Sequence, residues 1–195
     1  MTKTRLEAFS DGVIAILITI MVLELKIPHG DDLDSISPLW PVFLTYVLSF
    51  VNLGIYWNNH HHMFQATKSI DGRVMWANLN LLFWLSLFPF VTGWMGENHF
   101  APLPTAVYGA VLICAGISYT ILQTTIVRHH EHENVKLKQA IGRDFKGKFS
   151  IVMYAVAIAV AFFDRWISFA IYAAVSAIWF LPDRRIERTV HVHDD

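Results

Sequence analysis

The chain has one cysteine among its 195 residues, so no intrachain disulfide can form. Cys114 also lies within an apolar run, and it gives no reading of redox compartment. Charge is scarce as well. Asp, Glu, Lys and Arg make up 16% of the residues, against about 25% in an ordinary soluble domain. The net charge of -1 points to no nucleic-acid partner. The sequence contains no nucleophile motif, no glycine-rich phosphate loop and no paired intramembrane carboxylates, so enzymatic chemistry is not expected. No small-residue cleavage site follows the first apolar run, so that run is expected to stay in the protein. What the chain has in excess is apolar side chains: 54% of residues, with a mean hydropathy of +0.42. Membrane is the class to test first.

A spanning helix needs about 20 mostly apolar residues. Residues 39–57, 74–95 and 106–127 contain no charged side chain and supply three spans. Residues 12–23 form a shorter apolar run, extended by Phe9 on one side and by residues 25–27 on the other. Residues 149–163 and 166–181 are separated only by Asp164 and Arg165, the pattern of a tight hairpin of two short helices. The expectation is an all-α, polytopic membrane protein: one domain over residues 1–195 with six transmembrane helices near 6–27, 38–66, 72–95, 104–127, 147–163 and 166–181. Pro89 should kink the third. Residues 128–146 form the one sizeable loop. Of the 15 Lys and Arg residues, all but Lys26 and Arg165 fall on one side of this layout. By the positive-inside rule both termini are expected in the cytoplasm, in a cell (plasma or inner) membrane.

The first span begins unusually, as RLEAFSDGVIAILITIMVLEL over residues 5–25. Asp11 would sit within a turn of the membrane face, where an unpaired carboxylate is costly. Two readings are open. Asp11 can cap the helix, or it can belong to a polar clamp with donors from Ser10, Arg5, Trp57, Asn58, His60, His61 and Asn78. Further along, Ile16, Ile20 and Leu23 recur at i, i+4 and i+7, with Thr19 beside them, so they form one stripe. From spacing alone, such a stripe in so apolar a helix is ordinarily lipid-facing or core.

The histidines invite a metal reading, at His60-His61-His62 and at His129-His130-Glu131-His132. Adjacent histidines on a helix point to different faces, however, and the second cluster lies in a polar loop. No metal site and no cofactor are expected.

Taken together, Arg5, Phe9-Ser10-Asp11-Gly12-Val13, Ala15-Ile16 and Thr19 resemble the signature of the transmembrane protein 175 family of potassium channels. Tyr56-Trp57, His60-His61, Trp76, Asn78 and Pro89-Phe90 resemble that family's second and third helices. The detailed resemblance covers roughly the first ninety residues, and the six-helix layout extends it to the rest. With one six-helix repeat, the chain resembles the prokaryotic form. The resemblance implies a homotetramer in the lipid bilayer, with the first helices lining a central pore for monovalent cations. Ile16 matches the first constriction residue, Ile20 and Leu23 the layers above it, and Thr19 a threonine one turn along. Phe9, Ser10 and Asp11 match the residues that tie the helix to its neighbours, and with Arg5, Trp57, His60, His61 and Asn78 they make up the expected polar clamp. No TVGYG-type carbonyl filter occurs in the sequence, so a side-chain constriction implies only modest preference for potassium over sodium. The rival expectation is a proton-coupled secondary transporter or proton-permeable channel, with Asp11 and the histidines as the proton path. Against the transporter, the chain shows neither inverted repeats nor a broken midplane helix.

Overall fold

A computed structural model describes residues 2–65, 67, 69–129 and 145–180, and among them there are helices but no strand. Helix α1 is Lys3–Leu23. A short α2, Leu33–Ile36, and a 3-10 turn, Ser37–Leu39, lead into α3, Trp40–Gln65. Next come α4, Gly72–Ser86, and α5, Phe88–Glu97, then α6, Pro102–His129. A hairpin of α7, Phe145–Val160, and α8, Arg165–Phe180, completes the described chain. The histidine-rich stretch after His129, most of the 128–146 loop and everything after residue 180 lie outside the described residues.

Among the described residues, four stretches are long and apolar enough to cross a membrane: Lys3–Leu23, Leu33–Gln65, Gly72–Glu97 and Pro102–Arg128. Helices α7 and α8 have 16 residues each, about 24 Å at 1.5 Å per residue, somewhat under the roughly 30 Å hydrocarbon thickness. Two helix boundaries depart from the sequence expectation. α1 stops at Leu23, not near 27, with Glu24 as its C-cap; Pro28 restricts only the residue before it and does not set that stop. The third span is not one helix but two, α4 and α5, meeting at Leu87. Pro89 sits in the first turn of α5, where its missing N–H is tolerated, whereas an uninterrupted helix would need that donor.

The connections are capped by their own side chains. Asp71 accepts from the Val74 amide at 2.9 Å to start α4. Asp164 accepts from the Trp166 and Ile167 amides at 2.8 and 3.1 Å and turns the α7–α8 hairpin. Between α5 and α6, His99 and Phe100 have positive φ, a strained backbone for residues with a Cβ. Burial of the Phe100 ring among Trp40, Trp166 and Phe169 holds it there, and Arg165 Nη1 donates to the His99 carbonyl at 3.1 Å.

Polar side chains also bind the helices to one another, as expected where the surroundings are as apolar as the core. Ser49 of α3 meets Thr92 of α5 at 2.6 Å and Tyr108 of α6 at 3.0 Å. Ser176 of α8 donates to Asn52 of α3 at 3.2 Å, and Asn80 of α4 donates to Ser118 of α6 at 2.7 Å.

Candidate functional site

Among the described residues, helix α1 is packed from one side only. Its buried residues, Leu6, Ser10, Ile14, Leu17 and Met21, recur every three or four positions and face α3, α4 and α5. On the opposite side stand the residues singled out by the stripe. Ile16 is 57% exposed, Ile20 39% and Leu23 80%, and Thr19 is exposed between them. The Thr19 hydroxyl donates back to the carbonyls of Ile16 (2.9 Å) and Ala15 (3.2 Å). Its hydrogen is thus committed to the helix and its oxygen lone pairs face outward.

The base of α1 is held by a hydrogen-bond network. Ser10 Oγ, fully buried, donates to the Leu6 carbonyl at 2.9 Å and accepts from Asn78 Nδ2 at 2.9 Å. The Asn78 amide oxygen lies 2.8 Å from His60 Nε2. That oxygen can only accept, so His60 Nε2 carries the proton. His60 Nδ1 is buried with no partner among the described residues, and the ring stacks on Phe64 at 4.5 Å. Alongside, Trp57 Nε1 donates to Asp11 Oδ1 at 3.0 Å, and the His61 ring stacks on Trp57.

The network therefore joins three helices through Ser10 and Asp11 of α1, Trp57 and His60 of α3, and Asn78 of α4. It also decides between the two readings of Asp11. The helix begins at Lys3 with Thr2 as its N-cap, so Asp11 lies in the third turn and caps nothing. Arg5 and Phe9 are exposed on α1, outside the network. The Ser49–Thr92–Tyr108 bonds are not foreshadowed by any motif, although Ser49, Asn52 and Thr92 stand out as polar residues within otherwise apolar runs. The same holds for the ion pair of Lys26 Nζ with Glu97 Oε1 at 2.7 Å, near the far end of α1.

Among the described residues no group of histidine, cysteine and carboxylate side chains is arranged to hold a metal ion. The titratable groups outside the helices are tuned by neighbours. Bonding from the Ser35 side chain and amide lowers the Asp32 carboxyl, and the bond to Glu97 raises the Lys26 ammonium.

Known proteins match this chain along nearly its whole length. The sequence profile of the family described as endosomal/lysosomal potassium channel TMEM175 covers residues 5–89, which contain the whole α1 stripe and all of the network. A potassium channel from a Chryseobacterium species is 55% identical over 190 residues, 97% of this chain and 98% of that protein. The crystal structure described as a lysosomal potassium-selective channel TMEM175 homolog from Chamaesiphon minutus matches with a TM-score of 0.77 at 28% identity, covering 92% of this chain and 96% of that one. The endosomal/lysosomal proton channel TMEM175 of Gallus gallus is 38% identical over 76 residues, 33% of this chain and 15% of that larger protein. With a close relative alike from end to end and a family profile lying on the α1 site, the chain belongs to the TMEM175 family of ion channels and is a multi-pass membrane protein.

Proposed function

We propose that the chain is the subunit of a homotetrameric, passive potassium channel of the cell membrane, with both termini cytoplasmic. Four copies of α1 line its pore. The observation that carries this reading is the one-sided packing of α1. Three neighbouring helices hold one face, and the opposite face presents Ile16, Thr19, Ile20 and Leu23 to whatever lies beyond the subunit. Around a fourfold axis those side chains become stacked rings, with Ile16 as the narrowest. The Ser10–Asn78–His60 and Asp11–Trp57 bonds set the tilt and position of each α1 from its base, so the aperture is fixed from outside the lumen.

The chemistry of such a pore follows from its walls. An ion passing a ring of isoleucines sheds part of its hydration and gains little in exchange. Potassium, rubidium and caesium release water more readily than sodium, so they pass better, though by a modest margin. Divalent cations hardly pass. One turn on, Thr19 offers four oxygen atoms whose lone pairs face the lumen, partial compensation for a dehydrated monovalent cation. A narrow aliphatic ring also closes by dewetting. No cofactor, metal or nucleic acid enters this mechanism.

The test is planar-bilayer recording of purified protein between potassium and sodium solutions. Unitary currents with a reversal potential favouring potassium are expected, and the absence of unitary currents would overturn the reading. A second reading, proton permeability, draws on the Gallus gallus relative named as a proton channel and on the unpartnered His60 Nδ1 at the base of α1. Imposing a pH gradient in the same recordings separates the two, because a proton conductance shifts the reversal potential at constant potassium.

A further inference from the structure

Lys26 and Arg165 both stand at the end of the fold away from the α1 network, and the fold treats them differently. Lys26 is paired with Glu97 at 2.7 Å. Arg165 is exposed, and among the described residues no carboxylate lies within ion-pair distance of it. Its neighbour Asp164 turns Oδ1 to the amides of Trp166 and Ile167 instead. The guanidinium is nonetheless held in place. Nη1 donates to the His99 carbonyl at 3.1 Å, and Cζ lies 6.0 Å from the centre of the Trp166 ring. Trp166 in turn stacks on Trp40 at 5.5 Å, and both indoles are exposed. A guanidinium carries five N–H donors in a fixed fork. Here one donor is committed, and the charge is uncompensated.

The surroundings of this cation are apolar. Phe162 and Phe163 form the tip of the α7–α8 hairpin, with Phe163 91% exposed, and Ile167 is exposed on the first turn of α8. Both helices have 16 residues, about 24 Å against a hydrocarbon core of roughly 30 Å. With Lys146 and Lys148 in the first turn of α7 at one membrane surface, the tip stops short of the other. Phe162 and Phe163 then lie among acyl chains, and Arg165 lies below bulk water. A charge at that depth is costly unless an opposite charge meets it or the bilayer thins around it. The anion nearest to that level is the phosphodiester of a phospholipid, whose two unesterified oxygens match the guanidinium fork.

We propose that the tip of the α7–α8 hairpin is a binding site for one phospholipid of the adjoining leaflet. Its phosphodiester is bound by the Arg165 N–H groups that the His99 carbonyl leaves free. Its glycerol backbone lies over the paired indoles of Trp40 and Trp166, and its acyl chains pass Phe162 and Ile167. Drawing this headgroup inward thins the bilayer around the short hairpin. The site requires only that the chain spans a membrane, and it is independent of what the pore conducts.

The experiment uses the full-length protein in liposomes of digalactosyldiacylglycerol, a bilayer-forming lipid without phosphate. The liposomes are doped with phosphatidylglycerol that carries a diazirine close to its glycerol backbone, and adducts are mapped by peptide mass spectrometry. Adducts are expected on Phe162, Phe163, Trp166 and Ile167. A galactolipid probe with the same diazirine chain should label this tip about tenfold less, the scale of one charge-assisted hydrogen bond. Arg165→Gln should bring the phosphatidylglycerol signal at the tip down to the galactolipid level and leave adducts elsewhere unchanged. If Arg165→Gln does not fold, the two probes on the wild-type protein decide alone, because they change the lipid and not the chain. Equal labelling of the tip by both probes, or full labelling in the folded variant, would overturn the proposal. So would displacement of the label by excess inorganic phosphate, which would assign the guanidinium to a free anion.

Discussion

Helices α1 and α6 are both long and almost uniformly apolar, yet the fold uses them in opposite ways. α6 is packed against α4, α5, α7 and α8. Tyr108, Leu112, Ala115, Leu122 and Ile126 are buried along it, and at Gly109 an added Cβ would stand 2.7 Å from Ile158 and closer still to the Tyr172 hydroxyl. α1 touches neighbours on one side, and nothing lies within 4 Å of a Cβ placed on Gly12. α6 has neighbours on several sides, with Leu103, Ile117 and Ile121 exposed along it, and α1 has neighbours on one. In a membrane, hydrophobicity does not distinguish these two roles, because lipid and protein core are equally apolar. The few polar atoms distinguish them. α6 is bonded to several helices along its length, while α1 is bonded to its neighbours mainly at its base and leaves its upper stripe free.

The comparison breaks most severely if the base of α1 is released. Asn78→Leu removes the donor to Ser10 and the acceptor of His60 together, at a site where all three residues are buried. Each orphaned group costs about 1–3 kcal/mol, and for a chain of this size the melting temperature should fall by roughly 5–20 °C. Trp57→Phe, which cuts only the half-exposed bond to Asp11, should cost clearly less. Size-exclusion profiles and thermal unfolding in detergent read both variants. If Asn78→Leu melts within about 2 °C of the wild type, the network does not hold α1.

The close packing of α6 should fail next, and for a different reason. Gly109→Ala forces a methyl group against Ile158 and the hydroxyl that Tyr172 donates to Thr105. Overpacking of this kind costs about 1–3 kcal/mol. Gly12→Ala is the matched control. It meets nothing in the subunit and gains helix propensity, so stability should hold or rise slightly. Equal losses in the two variants would mean that the α1 face is as crowded as that of α6.

The contrast is partly legible in the sequence. The spans can be read because an uncharged run of about 20 residues is long enough to cross lipid and rare in a soluble fold, and the hairpin because only Asp164 and Arg165 interrupt residues 149–181. Ser10, Asp11, Trp57, His60 and Asn78 can be grouped because polar groups near lipid need partners, but the same reasoning also draws in Arg5, Asn58 and His61, which lie outside the bonds. The geometry within that group is not legible. That Asp11 goes to Trp57, and Ser10 to Asn78, depends on how α3 and α4 rotate about their axes, which residue spacing within one helix does not specify. Pro89 signals disruption but not its extent, so the sequence implies a kink where the fold has a full joint at Leu87. The packing of Tyr56 on Tyr119, and of Tyr108 and Tyr154 on Tyr172, leaves no trace in the sequence. These residues come from four helices, and no one helix contains their pattern.

A still smaller and more selective effect is expected at the free face. Ile16→Asn replaces an exposed aliphatic side chain with an amide that can bond a hydrated ion, and it removes no contact from the subunit core. Melting should be unchanged, while the potassium-to-sodium permeability ratio falls by up to about tenfold, equivalent to roughly 1.4 kcal/mol of discrimination. Bi-ionic reversal potentials measure it. An unchanged ratio in a conducting variant would move the constriction to Ile20 or Leu23.

The smallest effect belongs to the far end of α1, where the comparison predicts almost nothing. Lys26 and Glu97 are in contact at 2.7 Å, but both are largely exposed, and exposed pairs contribute little after screening and side-chain ordering. The hydrogen bond and the charge of Glu97 raise the Lys26 ammonium above its ordinary value. The small stabilisation is therefore fully present below about pH 10, where lysine is protonated in both folded and unfolded chains, and it is lost as pH rises through the higher folded value. Glu97→Gln should lower the melting temperature by no more than about 2 °C at pH 8 and low salt. The difference should vanish in about 1 M salt, where the screening length is near 3 Å. If the variant instead loses several degrees, and keeps that loss in high salt, this pair holds α1 to α5 as firmly as the buried network does at the other end, and α1 is not tied mainly at its base.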